Sequence, residues 1–276
     1  MELQIFRHLW GVPDPLDVCI PRFVKAGYDG IECASAEKLP QGVTTDDLRG
    51  AIETHNLAYL AQTFTTGDSV AEHVASFRAE LDRVLPLNPV RIGCHSGWDR
   101  FPLKDAIDLY RELVRIEADL GIPVGHETHR SRIFYNPWTT RDVLMEVPEV
   151  KLVCDFSHWV CVCERIPEEP EVFALAADRC MHLHARIGYA EGPQVTDPDA
   201  PEFAAERAAH EAWWQQIWAV QQERGESVTT VTPEFGPPPY LHTLPHTQEP
   251  VADLEDVCDR QAGNVRRLFA AWSSRA

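Results

Sequence analysis

Eight times along this chain a short apolar run is followed by an amphipathic stretch, and few folds accept that rhythm. The strand-like runs are 3–10, 30–34, 58–63, 90–94, 123–126, 151–154, 180–184 and 227–232. The stretches between and after them, 16–26, 45–55, 70–85, 103–120, 140–147, 168–179, 203–224 and 254–272, carry a helical period. Across 103–120, Ala106, Leu109, Leu113, Ile116 and Leu120 recur at three- and four-residue steps, with Asp, Glu and Arg between them. Gly27, Gly121 and Gly225 stand where helices stop. Strand and helix alternating eight times within 276 residues predicts an α/β chain folded as one (β/α)₈ barrel domain, residues 1–276. The rival, an open doubly wound sheet, lacks the Gly-x-Gly-x-x-Gly expected after its first strand.

Charge narrows the partners. Lys and Arg number 25 against 43 Asp and Glu, a net charge of −18, and no run of basic residues interrupts that balance. Phosphate-backbone binding needs clustered cations, so a nucleic-acid partner is not expected. No apolar stretch approaches the roughly 20 residues of a membrane helix. Met1 leads straight into a strand-like run without the basic start and small-residue cleavage site of a secretory signal. The expectation is a cytoplasmic protein acting on a small molecule, with homo-oligomerisation left open. The eight cysteines are scattered, several inside apolar strands, and read as reduced thiols without disulfides. Cys161 and Cys163 form a C-x-C pair with no second pair behind it, which is not zinc-knuckle spacing.

The polar residues that interrupt the apolar pattern fall at one place in each strand. Glu32, Gln62, His95, Glu127, Asp155, His184 and Glu234 each follow an apolar run and precede a loop. In a barrel, that position is the C-terminal rim, where side chains converge. Three carboxylates on neighbouring strand ends (Glu127, Asp155, Glu234) would be costly to bury together without a cation. Adding the His184 imidazole makes a donor set suited to Mn²⁺, Mg²⁺ or Co²⁺, with zinc possible. His182 lies two residues before His184 and points to the same side of its strand, behind the ligand or in the core. His129 is within reach of the same centre, whereas His126 alternates away. HETH does not have the H-E-x-x-H spacing of a zinc-protease helix. Two long proline-bearing loops, 188–202 and 236–253, follow strands and are expected to wall a pocket, with His242 and His246 as candidates to cap it. Trp98, Trp138 and Trp159 follow strands four, five and six and are candidate wall residues.

HETH around Glu127, CDFSHW around Asp155, HLHARIG around His184, TPEFG around Glu234 and the GYDGIE of the second strand resemble the xylose isomerase-like barrels. The resemblance runs through nearly the whole chain. It is nearest the branch of sugar isomerases and epimerases, inosose dehydratases and dehydroshikimate dehydratases. It implies one divalent ion per chain, Mn²⁺ ahead of Mg²⁺, Co²⁺ or Zn²⁺, held by Glu127, Asp155, His184 and Glu234. It also implies that His158, three residues after Asp155, touches substrate oxygen, and that Arg186 follows the His182/His184 pair into the pocket. His95, Arg186, His182, Gln62 and Glu32 are then expected around the substrate. The implied reaction is isomerisation or epimerisation of a small hydroxy-carbonyl, sugar-like or a cyclic polyol-ketone. Glu127 and Glu234 would pass a proton through an enediolate, with His158 assisting. A dehydratase or lyase on the same scaffold is the runner-up. An oxidative iron enzyme or an apurinic endonuclease is further off, the latter because it uses more histidines and needs a basic surface; a protein that only binds metal would not need both glutamates.

Overall fold

The computed structural model describes residues 1–39 and 42–275. Its eight strands are β1 (Glu2–His8), β2 (Gly30–Cys33), β3 (Ala58–Phe64), β4 (Arg91–His95), β5 (Val124–Glu127), β6 (Leu152–Cys154), β7 (Cys180–His184) and β8 (Val228–Thr232). All pair in parallel in chain order, and β8 closes on β1 through Glu2↔Val228 to Ile5↔Val231. The described residues also form nine helices: α1 (Leu16–Lys25), α2 (Thr45–His55), α3 (Val70–Val84), α4 (Leu103–Glu117), α5 (Pro137–Glu146), α6 (Phe156–Cys163), α7 (Pro170–Arg179), α8 (Ala204–Glu223) and α9 (Leu254–Ser273). The chain is therefore the (β/α)₈ barrel that the alternation predicts. Its core lies between strands and helices, as in α4, where Ala106, Leu109, Leu113 and Ile116 are buried on the face that packs inward.

Local chemistry explains most of the boundaries. Thr44 and Ser69 open α2 and α3 with reciprocal capping boxes to Asp47 and Glu72. Gly27, Gly121 and Gly225 take positive φ at helix exits, as expected. Three of the differences from the sequence reading have a clear local cause. The first strand stops at His8 rather than Trp10, because the chain turns at Gly11, whose φ is +78°, and brings Leu9 and Trp10 over the barrel mouth. The fifth helix starts at Pro137 rather than Thr140, since the Asn136 side chain accepts from Thr139 N at 2.8 Å and Pro suits the first turn. Helix α6 was not expected: Asp155 caps it by accepting from Ser157 N at 3.0 Å.

That extra helix matters for the site. It begins directly at the end of β6, where the pairing with β7 also slips, Leu152 facing Cys180 but Val153 facing His182. The result fixes the backbone around Asp155 and lays Ser157 and His158 beside it. No helix among the described residues is long and apolar enough to cross a membrane, and all eight cysteines are free thiols.

A candidate metal centre beneath an aromatic cavity

At the C-terminal mouth, Glu127, Asp155, His184 and Glu234 each offer a ligand atom, and these atoms lie within 4.8 Å of one another. All four residues are buried. His184 Nδ1 faces the cluster, 3.1 Å from Glu234 Oε2 and 3.6 Å from Glu127 Oε1. Its other nitrogen, Nε2, is 2.9 Å from Glu32 Oε1, so a buried carboxylate holds the ring from behind. That arrangement orients a metal-binding imidazole and raises its basicity. Asp155 Oδ1 accepts from Ser157 N and, at 2.5 Å, from Ser157 Oγ. Its Oδ2 takes a charge-assisted bond from Arg186.

The two glutamates are divided between the centre and the cavity. Glu127 turns Oε1 toward His184 and Oε2 toward His95 Nε2, 2.7 Å away. Glu234 turns Oε2 toward His184, while its Oε1 accepts from Gln62 Nε2 at 3.2 Å. Gln62, His95, Glu127, Arg186 and Glu234 all line a cavity of about 740 Å³. Burial alone would raise the Glu127 carboxyl, but His95 and His184 outweigh it and hold it well below the usual range. For Asp155, burial dominates over Arg186 and lifts the carboxyl to about 6. Burial opposes protonation of His184, yet Glu234, Glu32 and Glu127 together push it well above an ordinary imidazole. Four buried carboxylates (Glu32, Glu127, Asp155, Glu234) thus gather here, and Arg186 reaches two of them, Asp155 and Glu234. Glu127 Oε1 and His184 Nδ1 have no hydrogen-bond partner. Oxygen and nitrogen donors converging with excess negative charge and orphaned lone pairs fit a divalent cation.

Three residues expected near substrate sit elsewhere. Glu32 is fully buried behind His184 and 3.6 Å from His182 Nε2. His182 spends its nitrogens on Thr230 Oγ1 at 2.8 Å and Thr232 Oγ1 at 3.0 Å. Neither is among the residues that line the cavity. His158 is also fully buried, and its Nε2 accepts from Arg186 Nη2 at 2.7 Å. It steadies the guanidinium and does not line the cavity. His129 does line it, its ring centroid 4.0 Å from that of His158. His242 and His246 are exposed and lie off the cavity, as do Cys161 and Cys163.

Of the candidate tryptophans only Trp98 reaches the wall. Trp138 is at the surface, bonded to Glu169, and Trp159 is core, its Nε1 donating to Phe134 O. The remaining wall, Leu9, Trp10, Val12, Phe64 and Tyr240, had not been singled out. Trp10 and Tyr240 meet edge to face at 4.9 Å and roof the opening from the first and last strand ends. The signal available for them was position alone, since both follow strands on the same rim. Arg132, also on the wall, lies in the loop after β5 and was hidden among ordinary loop charges.

Fold and site together define a (β/α)₈ barrel with a candidate metal centre at the floor of its C-terminal cavity. A profile of the xylose isomerase-like TIM barrel family matches residues 21–201, and the chain belongs to that family. No curated protein matches it in sequence. Among solved structures, it is similar in fold to a probable 3-DHS dehydratase of Bacillus anthracis (TM-score 0.64, 15% identity, covering 95% of this chain and 98% of that one). The 3-keto-D-glucoside 4-epimerase of E. coli is comparable (TM-score 0.64, 13% identity, 96% and 100%). A xylose isomerase-like barrel from Mycobacterium smegmatis, solved with magnesium, aligns at TM-score 0.62 and 14% identity over 98% and 97%.

Proposed function

We propose that this protein is a divalent-metal-dependent isomerase or epimerase that moves a proton within a small hydroxy-carbonyl substrate by way of an enediolate. The observation that carries this reading is the division of Glu127 and Glu234. Each gives one oxygen to the common centre and keeps the other at the cavity floor, steadied by His95 or Gln62. A divalent cation held by Glu127, Asp155, His184 and Glu234 supplies Lewis-acid polarisation of the substrate carbonyl, which acidifies the adjacent C–H.

One glutamate takes the proton from that carbon and the other, entering protonated, delivers one. Delivery is at the opposite face for an epimerase or at the neighbouring carbon for an isomerase, where the hydroxyl proton also passes to the former carbonyl oxygen. Glu127 takes the proton through the Oε2 that it keeps at the cavity, 2.7 Å from His95 Nε2. Arg186, held by Asp155 and His158, directs its charge toward substrate oxygens that become negative. The roof of Trp10 and Tyr240 limits water at the reacting carbon. Nothing in this step needs an external redox cofactor.

The test is carbon-bound deuterium incorporation during turnover in heavy water, with a primary isotope effect on labelled substrate to detect internal return. Glu127→Gln and Glu234→Gln are each expected to lower turnover by about 10²–10⁴-fold while the barrel stays folded by circular dichroism. Near-native turnover in either variant, or activity that requires oxygen, overturns the reading.

A further inference from the structure

The opposite end of the barrel carries cations that the protein leaves unanswered. A cavity of about 630 Å³ opens there, beneath the N-terminal ends of β4 to β8. Three basic residues line it. Arg91 begins β4, Lys151 immediately precedes β6, and Arg224 lies in the turn from α8 to β8. Arg224 is answered by Glu226 at 2.5 Å, and Arg179, close by, is answered by Asp178 at 3.1 Å. Neither Arg91 nor Lys151 has a carboxylate within ion-pair distance among the described residues. The one hydrogen-bond acceptor that Arg91 reaches among them is Met181 Sδ, 3.9 Å from Nη1, and a thioether accepts weakly. Lys151 makes no hydrogen bond to any of them.

In a chain with a net charge of −18, two such cations on the wall of one cavity run against the general balance. Their surroundings also disfavour them as cations. Burial draws both Arg91 and Lys151 below their ordinary pKa values, and for Lys151 the charges of Arg179 and Arg224 add to the effect. A bound anion would relieve both. A guanidinium fork together with an ammonium offers several donors and a double positive charge. That combination suits the oxygens and double charge of a phosphoryl group better than the single charge of one carboxylate. The side chains of Pro123, Met181 and Val228 on the same wall leave an apolar margin beside the cations, where a small organic body can rest.

We infer that this N-terminal cavity binds a phosphoryl dianion, free or carried on a small ester, between Arg91 and Lys151. The inference is independent of the metal centre, whose ligands stand at the other ends of the strands. The probes are inorganic phosphate, glycerol 3-phosphate and acetate, titrated calorimetrically at constant ionic strength. They are added to the full chain and to its Arg91→Met, Lys151→Met and Arg132→Met variants, the last of which removes a cation from the cavity at the opposite end. Melting curves check that each variant is folded. Lys151 is exposed, so Lys151→Met carries the test should Arg91→Met fail to fold.

Saturable binding of phosphate is expected, weakened at least about tenfold in Arg91→Met and in Lys151→Met and unchanged in Arg132→Met. Tighter binding of glycerol 3-phosphate than of phosphate assigns the cavity to an ester, and equal or weaker binding assigns it to the free ion. Acetate that binds as tightly as phosphate overturns the dianion. The site itself is overturned by three results: no saturable phosphate uptake, uptake that survives either folded substitution at Arg91 or Lys151, or a loss shared by Arg132→Met.

Discussion

Glu32 holds a candidate metal ligand from behind, away from the cavity. Its Oε1 fixes His184 Nε2 at 2.9 Å, which turns Nδ1 toward Glu127 and Glu234. Glu32→Gln keeps the shape but removes the charge that makes the imidazole a strong donor. Metal affinity is expected to fall about 10–100-fold. A residue that contacted substrate would instead change KM at saturating metal, so titrating activity against metal and substrate separately distinguishes the two. At this scale the sequence was legible as to position and illegible as to depth. Strand alternation puts Glu32, His182 and His184 on the inner side of their strands, and it has no means of saying which lies at the floor and which beneath it. His158 is a related case. Its spacing from Asp155 places it beside the site, while the direction of its ring is tied to Arg186, a partner from the next strand's loop.

Elements carry these residues to their places, and the loops after β7 and β8 do so jointly. Gln194, in the first of them, donates to Gly236 O at 3.1 Å and accepts from Gly236 N at 2.7 Å. This pairs a buried side-chain amide with a backbone amide in the second loop, two residues past Glu234. The Trp10 ring packs against Gly236, so close that a Cβ there would be 2.1 Å from it. Gln194→Ala leaves both backbone groups unpaired in a buried setting, at a cost of about 1–3 kcal/mol for each group left unsatisfied. Thermal unfolding should drop accordingly, and substrate KM should rise through the loosened roof while metal affinity holds. An unchanged KM with the lower melting temperature would assign Gln194 to stability alone. Both loops were recognised from their length and prolines, yet their tie could not be, because a single glutamine meeting a distant backbone leaves no periodic trace. Helix α6 escaped for another reason. The run FSHWVCVC is short and mostly apolar, so it shows no clear helical face, and the residue that starts it, Asp155, was read only as a ligand.

The whole barrel gathers charge at its mouth, and that gives the metal a role in stability as well as chemistry. In the metal-free protein, burial lifts the Asp155 carboxyl to about 6, above its unfolded value of 3.8, so the fold favours the proton. The neighbouring carboxylates likewise hold His184 protonated well above 6.5. For Asp155, the native state binds more protons between about pH 4 and 6, and stability falls as pH rises through that window. For His184, the favourable contribution is complete below pH 6.5 and is lost as pH climbs through its raised native value. Both effects leave the metal-free barrel weaker on the alkaline side. Metal binding requires an ionised Asp155 and an unprotonated His184 Nδ1, so it grows stronger in the same direction. At about 100 times its dissociation constant, a ligand bound only by the native state adds about 2.7 kcal/mol. For a chain of this size, that is roughly a 5 °C rise in melting temperature. Melting curves with manganese or with chelator, at fixed total manganese, should therefore separate by several degrees at pH 8 and converge toward pH 5. Glu127→Gln, which removes a ligand, should abolish the separation at every pH. A manganese increment of the same size at pH 5 and pH 8 would mean that the ion binds elsewhere, at groups whose protons do not compete with it.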